Sequence, residues 1–119
     1  MNEPVNPVEV EAAILAAAAE IEKGVEIVSQ WEEQAKDTAE DARRAFNNAY
    51  LEAKGTPTEK RIRAEIATAD LRTAAQVAQV GFSTTERRLK SLEKRLSAYQ
   101  SVLKSVTQMY GASGSGRGH

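Results

Sequence analysis

Cysteine is absent from this chain, so disulfides, thiolate metal sites and thiol nucleophiles are excluded. The single histidine is His119, the last residue, which leaves no helix-borne imidazole for acid–base work, and no Glu-x-x-His spacing of a di-iron bundle occurs. Aromatic residues number two Phe, one Trp and three Tyr, too few to fill a thick globular core. No apolar run approaches the ~20 residues that span a bilayer. The opening MNEPVNPVEVE is acidic where a signal peptide is basic. The expectation is a cytoplasmic protein without enzymatic activity, cofactor or bound metal, and without membrane contact. A nucleotide-hydrolysing phosphate loop is excluded as well, because KGTPTEK lacks a second glycine before the lysine and has no strand ahead of it.

What the chain does have is Ala, Glu, Lys, Arg and Leu, the residues of long helices packed along narrow seams. Asn6-Pro7-Val8-Glu9 and Thr56-Pro57-Thr58-Glu59 share one grammar: a capping side chain, a proline at the first helical position, and a glutamate able to reach back to the cap. Gly55 suits the left-handed residue that ends a helix. Ile14, Ile21, Val28, Ala35, Ala42 and Ala49 recur every seven residues. Ala18, Val25, Ala39, Phe46 and Ala53 fill a second series, with Glu32 as its exception. In the second half, Ala75, Phe82, Leu89, Leu96, Leu103 and Tyr110 form one series, beginning at Thr68, and Ala64, Leu71, Ala78, Leu92, Tyr99 and Val106 the other, broken at Thr85.

The predicted fold is all-α: a long antiparallel, coiled-coil-like hairpin, with one helical domain over residues 1–110. A helix over about 7–54 is followed by a turn at 55–56, a helix over about 57–110 and a flexible tail over 111–119. Gly24 and Gly81 sit inside the helices, each costing about 1 kcal/mol relative to alanine, and Ser83-Thr84-Thr85-Glu86 offers a kink or restart at 81–83. Ile27, Trp31, Ile62, Ile66, Val77, Val80 and Val102 fall outside the seam. They point to self-association into a homo-oligomeric bundle or ring. An antiparallel register sets Gln79 opposite Glu32 as a hydrogen-bonded pin and brings Arg72 level with Glu40 and Asp41.

The net charge of −1 hides an acidic first half and a basic second half. Folded as a hairpin, residues 1–33 and 86–119 compensate each other. The closed end, residues 42–66, carries Arg43, Arg44, Lys54, Lys60, Arg61 and Arg63 against Glu52, Glu59 and Glu65, a net of +3. A surplus of this kind is a solvated tip or a phosphate-binding surface, with Tyr50 one turn before the loop as a platform for a base.

The stretches ARRAFNNAYLEAKG, TADLRTAAQVAQ and LKSLEKRLSAYQSVLK resemble the UvsY-type recombination mediators of bacteriophages, over roughly residues 30–105. The resemblance implies a small helical homo-oligomer that binds single-stranded DNA and helps load a RecA-like recombinase onto strands covered by single-strand-binding protein. It implies DNA contacts at Arg43 and Arg44 and assembly through Leu89, Leu92, Leu96, Tyr99 and Leu103. Lys54, Lys60, Arg61 and Arg63 extend the DNA-binding set from the charge map. The acidic first helix, the Gly-Ser tail and the near-neutral net charge depart from that pattern. The competing reading is a coiled-coil interaction or assembly module of a phage, whose charges serve helix pairing alone.

Overall fold

The computed structural model describes residues 6–115, with side chains described through residue 109. Among the described residues there are three helices and no strand: α1, Pro7–Glu52; α2, Pro57–Ala67; and α3, Ala69–Ser115. None is long and apolar enough to cross a membrane. Both predicted helix starts form. The Asn6 carboxamide oxygen accepts from the Val8 amide at 3.0 Å, and the Thr56 hydroxyl accepts from the Glu59 amide at 3.2 Å. Gly55 has φ +118°, the left-handed region, and the Glu59 side chain lies over it where a Cβ would stand.

The second helix is interrupted at Thr68, and not at Gly81. Thr68 has φ −111° and ψ 13°, and its hydroxyl donates to the Ala64 carbonyl at 2.7 Å while its amide also turns back to Ala64. The Arg72 guanidinium donates to the Glu65 carbonyl at 2.6 Å, so Arg72 caps the end of α2. Its expected pairing with Glu40 and Asp41 is not made. At Gly81 the helix runs on. The Thr85 hydroxyl donates to the carbonyls of Gly81 and Phe82, 2.8 and 3.0 Å away, an arrangement that satisfies a seam hydroxyl without breaking the helix. The helix also continues through 111–115, where a flexible tail was expected. Residues 116–119 of that tail, His119 among them, and the side chain of Tyr110 lie outside the described residues.

The chain divides into two compact units, Met1–Val25 with Arg87–His119, and Glu26–Glu86. In the first, Ala17 and Val106 are buried, and Leu89 packs on Gly24, its Cδ1 standing 3.0 Å from where a Cβ on residue 24 would be. In the second, Ala35, Ala42, Ala64, Thr68 and Ala78 are buried, and Trp31 packs on Gly81. Trp31 precedes the turn glycine by 24 residues and Gly81 follows it by 26, as an antiparallel pair requires.

The seam of α1 departs from expectation in one of its two series. Ile14, Ile21, Val28, Ala35, Ala42 and Ala49 face inward as predicted, but their partners are Ala17, Gly24, Trp31, Thr38 and Ala45. Of the expected second series, Ala18, Val25 and Ala39 are exposed, whereas Phe46 and Ala53, nearer the turn, are half-buried. Counting apolar residues favours Val25 and Ala39 over Gly24 and Thr38, so periodicity selects the wrong neighbour. Packing selects the other phase because Gly24 and Gly81 are sockets for Leu89 and Trp31. Trp31, assigned outside the seam, is therefore a seam residue. The rest of that set (Ile27, Ile62, Ile66, Val77, Val80 and Val102) is exposed as expected.

The register pin between Glu32 and Gln79 does not form. Both line one surface hollow with Ala35, Lys36, Ala39 and Phe82. Glu32, however, pairs with Lys36 at 3.1 Å, and Gln79 donates to the Ser83 hydroxyl at 3.5 Å. With Trp31 turned inward, Glu32 stands at the seam edge, where a residue one turn along its own helix satisfies it.

Candidate nucleic-acid interface

The turn and its flanking helix ends lie within the Glu26–Glu86 unit, which holds all six predicted DNA-binding cations. Arg43 and Arg44 are exposed on α1 and share one carboxylate. Arg43 donates through Nε and Nη2 to the two oxygens of Glu40, 3.1 and 2.5 Å away, and Arg44 Nε donates to the same group at 2.9 Å. The Arg43 hydrogen bond, assisted by that from Arg44 and by both positive charges and opposed by desolvation, holds the Glu40 carboxyl below its ordinary value of 4.5. Glu40 in turn raises Arg43 above its usual range. These are exposed contacts within a single helix, so they are weak and screened by salt.

This sharing revises the charge balance. Residues 42–66 carry a net of +3, but Glu40 and Asp41 just before them bring 40–66 to +1. Part of the surplus on α1 is therefore met within that helix. Lys54, Lys60, Arg61 and Arg63 form no ion pair with a described residue. Lys54, Arg61 and Arg63 are exposed and Lys60 is half-buried.

Half-buried Lys60 lies over one ring of an aromatic pair. Phe46 and Tyr50, one helical turn apart, stack with centroids 6.5 Å apart and planes 24° apart. Lys60 Nζ stands 5.7 Å from the Tyr50 centroid, in cation–π range. Phe46, Tyr50, Pro57, Thr58 and Arg61 line an open hollow beside this contact. The tight turn makes the cluster possible, because Gly55 reverses the chain and Pro57 starts α2 within reach of the last two turns of α1. Tyr50 and the cations are legible in the sequence. Phe46 escapes it as a site residue, although the four-residue spacing to Tyr50 is the available signal. Glu40 escapes it because a charge balance over 42–66 stops two residues short of it.

Leu89, Leu92, Leu96, Tyr99 and Leu103, the residues expected to support assembly, are half-buried in the other unit. Leu89 meets Gly24, and Leu92 and Tyr99 line a hollow with Ala13, Ala16, Ala17, Glu20 and Arg95. At least part of their apolar surface therefore serves pairing within the chain. Glu20 and Arg95 line one hollow but form no ion pair with each other. No family model, no curated protein and no solved structure matches this chain.

Proposed function

We propose that this protein is a non-enzymatic single-stranded DNA-binding recombination mediator that acts as a homo-oligomer. The observation that carries the reading is the cluster at the turn: a stacked aromatic pair with one cation over it and a second beside it, on α2 cations that have no carboxylate partner. Aromatic faces and mobile cations side by side are the combination that holds a single strand, the rings taking bases and the cations taking phosphates. Arg43 and Arg44 add a second pair of cations one to two turns away along α1. The further role, helping a RecA-like recombinase onto strands covered by single-strand-binding protein, rests on the resemblance of residues 30–105 to UvsY-type mediators. Exposed Ile27, Ile62, Ile66, Val77 and Val80 support self-association.

Retention of a labelled strand of about 40 nucleotides across a salt series tests this reading. Affinity falls steeply with salt, and the slope becomes shallower once Lys60 and Arg61 are neutralised. Absence of retention at low salt rejects it. The same exposed apolar residues, with Leu15 72% and Leu51 76% accessible, favour the second reading, a helical module that binds only protein. In that case the chain assembles or captures a protein partner, and DNA changes nothing.

A further inference from the structure

We infer that the hollow beside Tyr50 seats one unstacked nucleobase of a bound single strand, and that Lys60 leaves the Tyr50 ring to meet a neighbouring phosphate when it does so. The inference rests on the single-strand-binding reading and deepens it, because phosphate contacts alone require no such pocket.

The hollow is lined chiefly by carbon, contributed by Phe46, Tyr50, Pro57, Thr58 and Arg61. Such a lining suits a flat, weakly polar ligand and not a bare phosphate, which needs convergent N–H donors. Tyr50 and Phe46 are half-buried, so each keeps surface that a ligand can cover. In the free protein the ring's partner is Lys60, at 5.7 Å and on a flexible four-carbon stem. A solvent-accessible cation–π contact is among the weaker interactions, whereas stacking of a base on an aromatic ring is stronger. Exchanging one for the other is therefore favourable, and it releases an ammonium within reach of the strand's backbone. Arg61 needs no such release. Bases of a duplex have their faces covered by their neighbours, so the pocket distinguishes single strands from duplexes without reading sequence.

The test uses the full chain and two probes of equal length and charge, a ~40-nucleotide thymidine strand and the same backbone with abasic sites throughout, at one low salt concentration. The thymidine strand binds about 10-fold or more tighter, the scale expected for base stacking on aromatic side chains. Tyr50→Leu removes most of that difference by weakening thymidine binding, and leaves abasic binding nearly unchanged. Because Tyr50 also packs on Phe46, the helicity of the variant is measured alongside; the comparison of probes on the unaltered protein does not depend on it. Equal binding of both probes by the unaltered protein overturns the base pocket while leaving phosphate-driven binding intact. Binding of neither probe overturns the pocket together with the reading beneath it.

Discussion

The six-membered ring of Trp31 lies against Gly81, its Cδ2 2.7 Å from where a Cβ on residue 81 would stand and its Cε3 and Cζ3 closer still. A helical glycine normally weakens its helix by about 1 kcal/mol. Here that cost admits the one tryptophan of the chain into a seam otherwise made largely of alanine. Gly81→Ala therefore destabilises the protein, by about 1–2 kcal/mol after the gain in helix propensity is subtracted from the overpacking. In a Trp31→Ala background the same substitution stabilises by up to about 1 kcal/mol, since the clash is gone and the propensity gain remains. Chemical denaturation of the four proteins, followed by helical circular dichroism, measures the reversal of sign. Equal effects of Gly81→Ala in both backgrounds would show that the ring does not sit on the glycine.

The relation between Trp31 and Gly81 also marks where the sequence is legible and where it is not. Helix starts at Pro7 and Pro57 and the stop at Gly55 are local chemistry, and they appear where cap, proline and glycine place them. The inward series through Ile14 and Ala35, and the burial of Ala64 and Ala78, follow from apolar spacing, but Leu71, expected in the same seam series just after the break at Thr68, is 43% exposed. The second series of α1 is misread because its members include Gly24, Thr38 and Trp31, whose inward position depends on what faces them from another helix. Pattern counting weighs hydrophobicity and cannot see a socket. The break at Thr68 is invisible for a similar reason: a threonine at a seam position is compatible with a continuous helix, and only the Arg72 contact with Glu65 and the backbone turn at Thr68 define the stop. At the site, the cations and Tyr50 can be read from composition. Glu40 can be read only by asking which carboxylate lies one turn from each arginine.

Thr68 is buried, and its hydroxyl bonds a carbonyl at the helix break. Thr68→Val keeps the shape and removes the donor. The expected loss is about 1 kcal/mol, at the lower end for a buried group because the Thr68 amide still reaches the Ala64 carbonyl. Urea midpoints measure it, and an unchanged midpoint would mean that the hydroxyl contributes nothing to the break.

At the turn, Gly55→Ala places a side chain on a left-handed residue and into the Glu59 carboxylate. A loss of about 1–2 kcal/mol is expected from the conformation and the contact together. Thr56→Ala, which removes the cap on α2, costs about 1 kcal/mol. Thermal unfolding of both variants checks the pair. A stabilised Gly55→Ala protein would contradict the turn geometry.

Glu40 opposes any anion that approaches Arg43 and Arg44. Glu40→Gln frees both guanidiniums and raises affinity for a single strand several-fold at low salt, whereas Asp41→Asn, an equal change of charge at a carboxylate outside the pair, raises it less. Equal gains would reduce Glu40 to a general electrostatic effect. The same carboxylate gives a pH signature. Its folded-state value is depressed below the ordinary 4.5, so its contribution to stability is present above that value and is lost as pH falls through the lower folded-state value. Acid titration of the unaltered protein should show this added loss below about pH 4.5, and Glu40→Gln should lack it.

Whether the turn holds a single strand, as proposed, is the central question, because the arm over 87–104 is basic as well. Binding of the labelled single strand is measured for the unaltered protein, for Lys60→Gln with Arg61→Gln, and for Lys94→Gln with Arg95→Gln, each across a salt series. If the turn is the binding surface, neutralising the α2 pair weakens binding and lowers the salt slope by roughly 0.7 for each phosphate that no longer meets a cation, while neutralising the α3 pair leaves both nearly as they were. Weakened binding only in the α3 variant, or no binding by the unaltered protein at low salt, would contradict it.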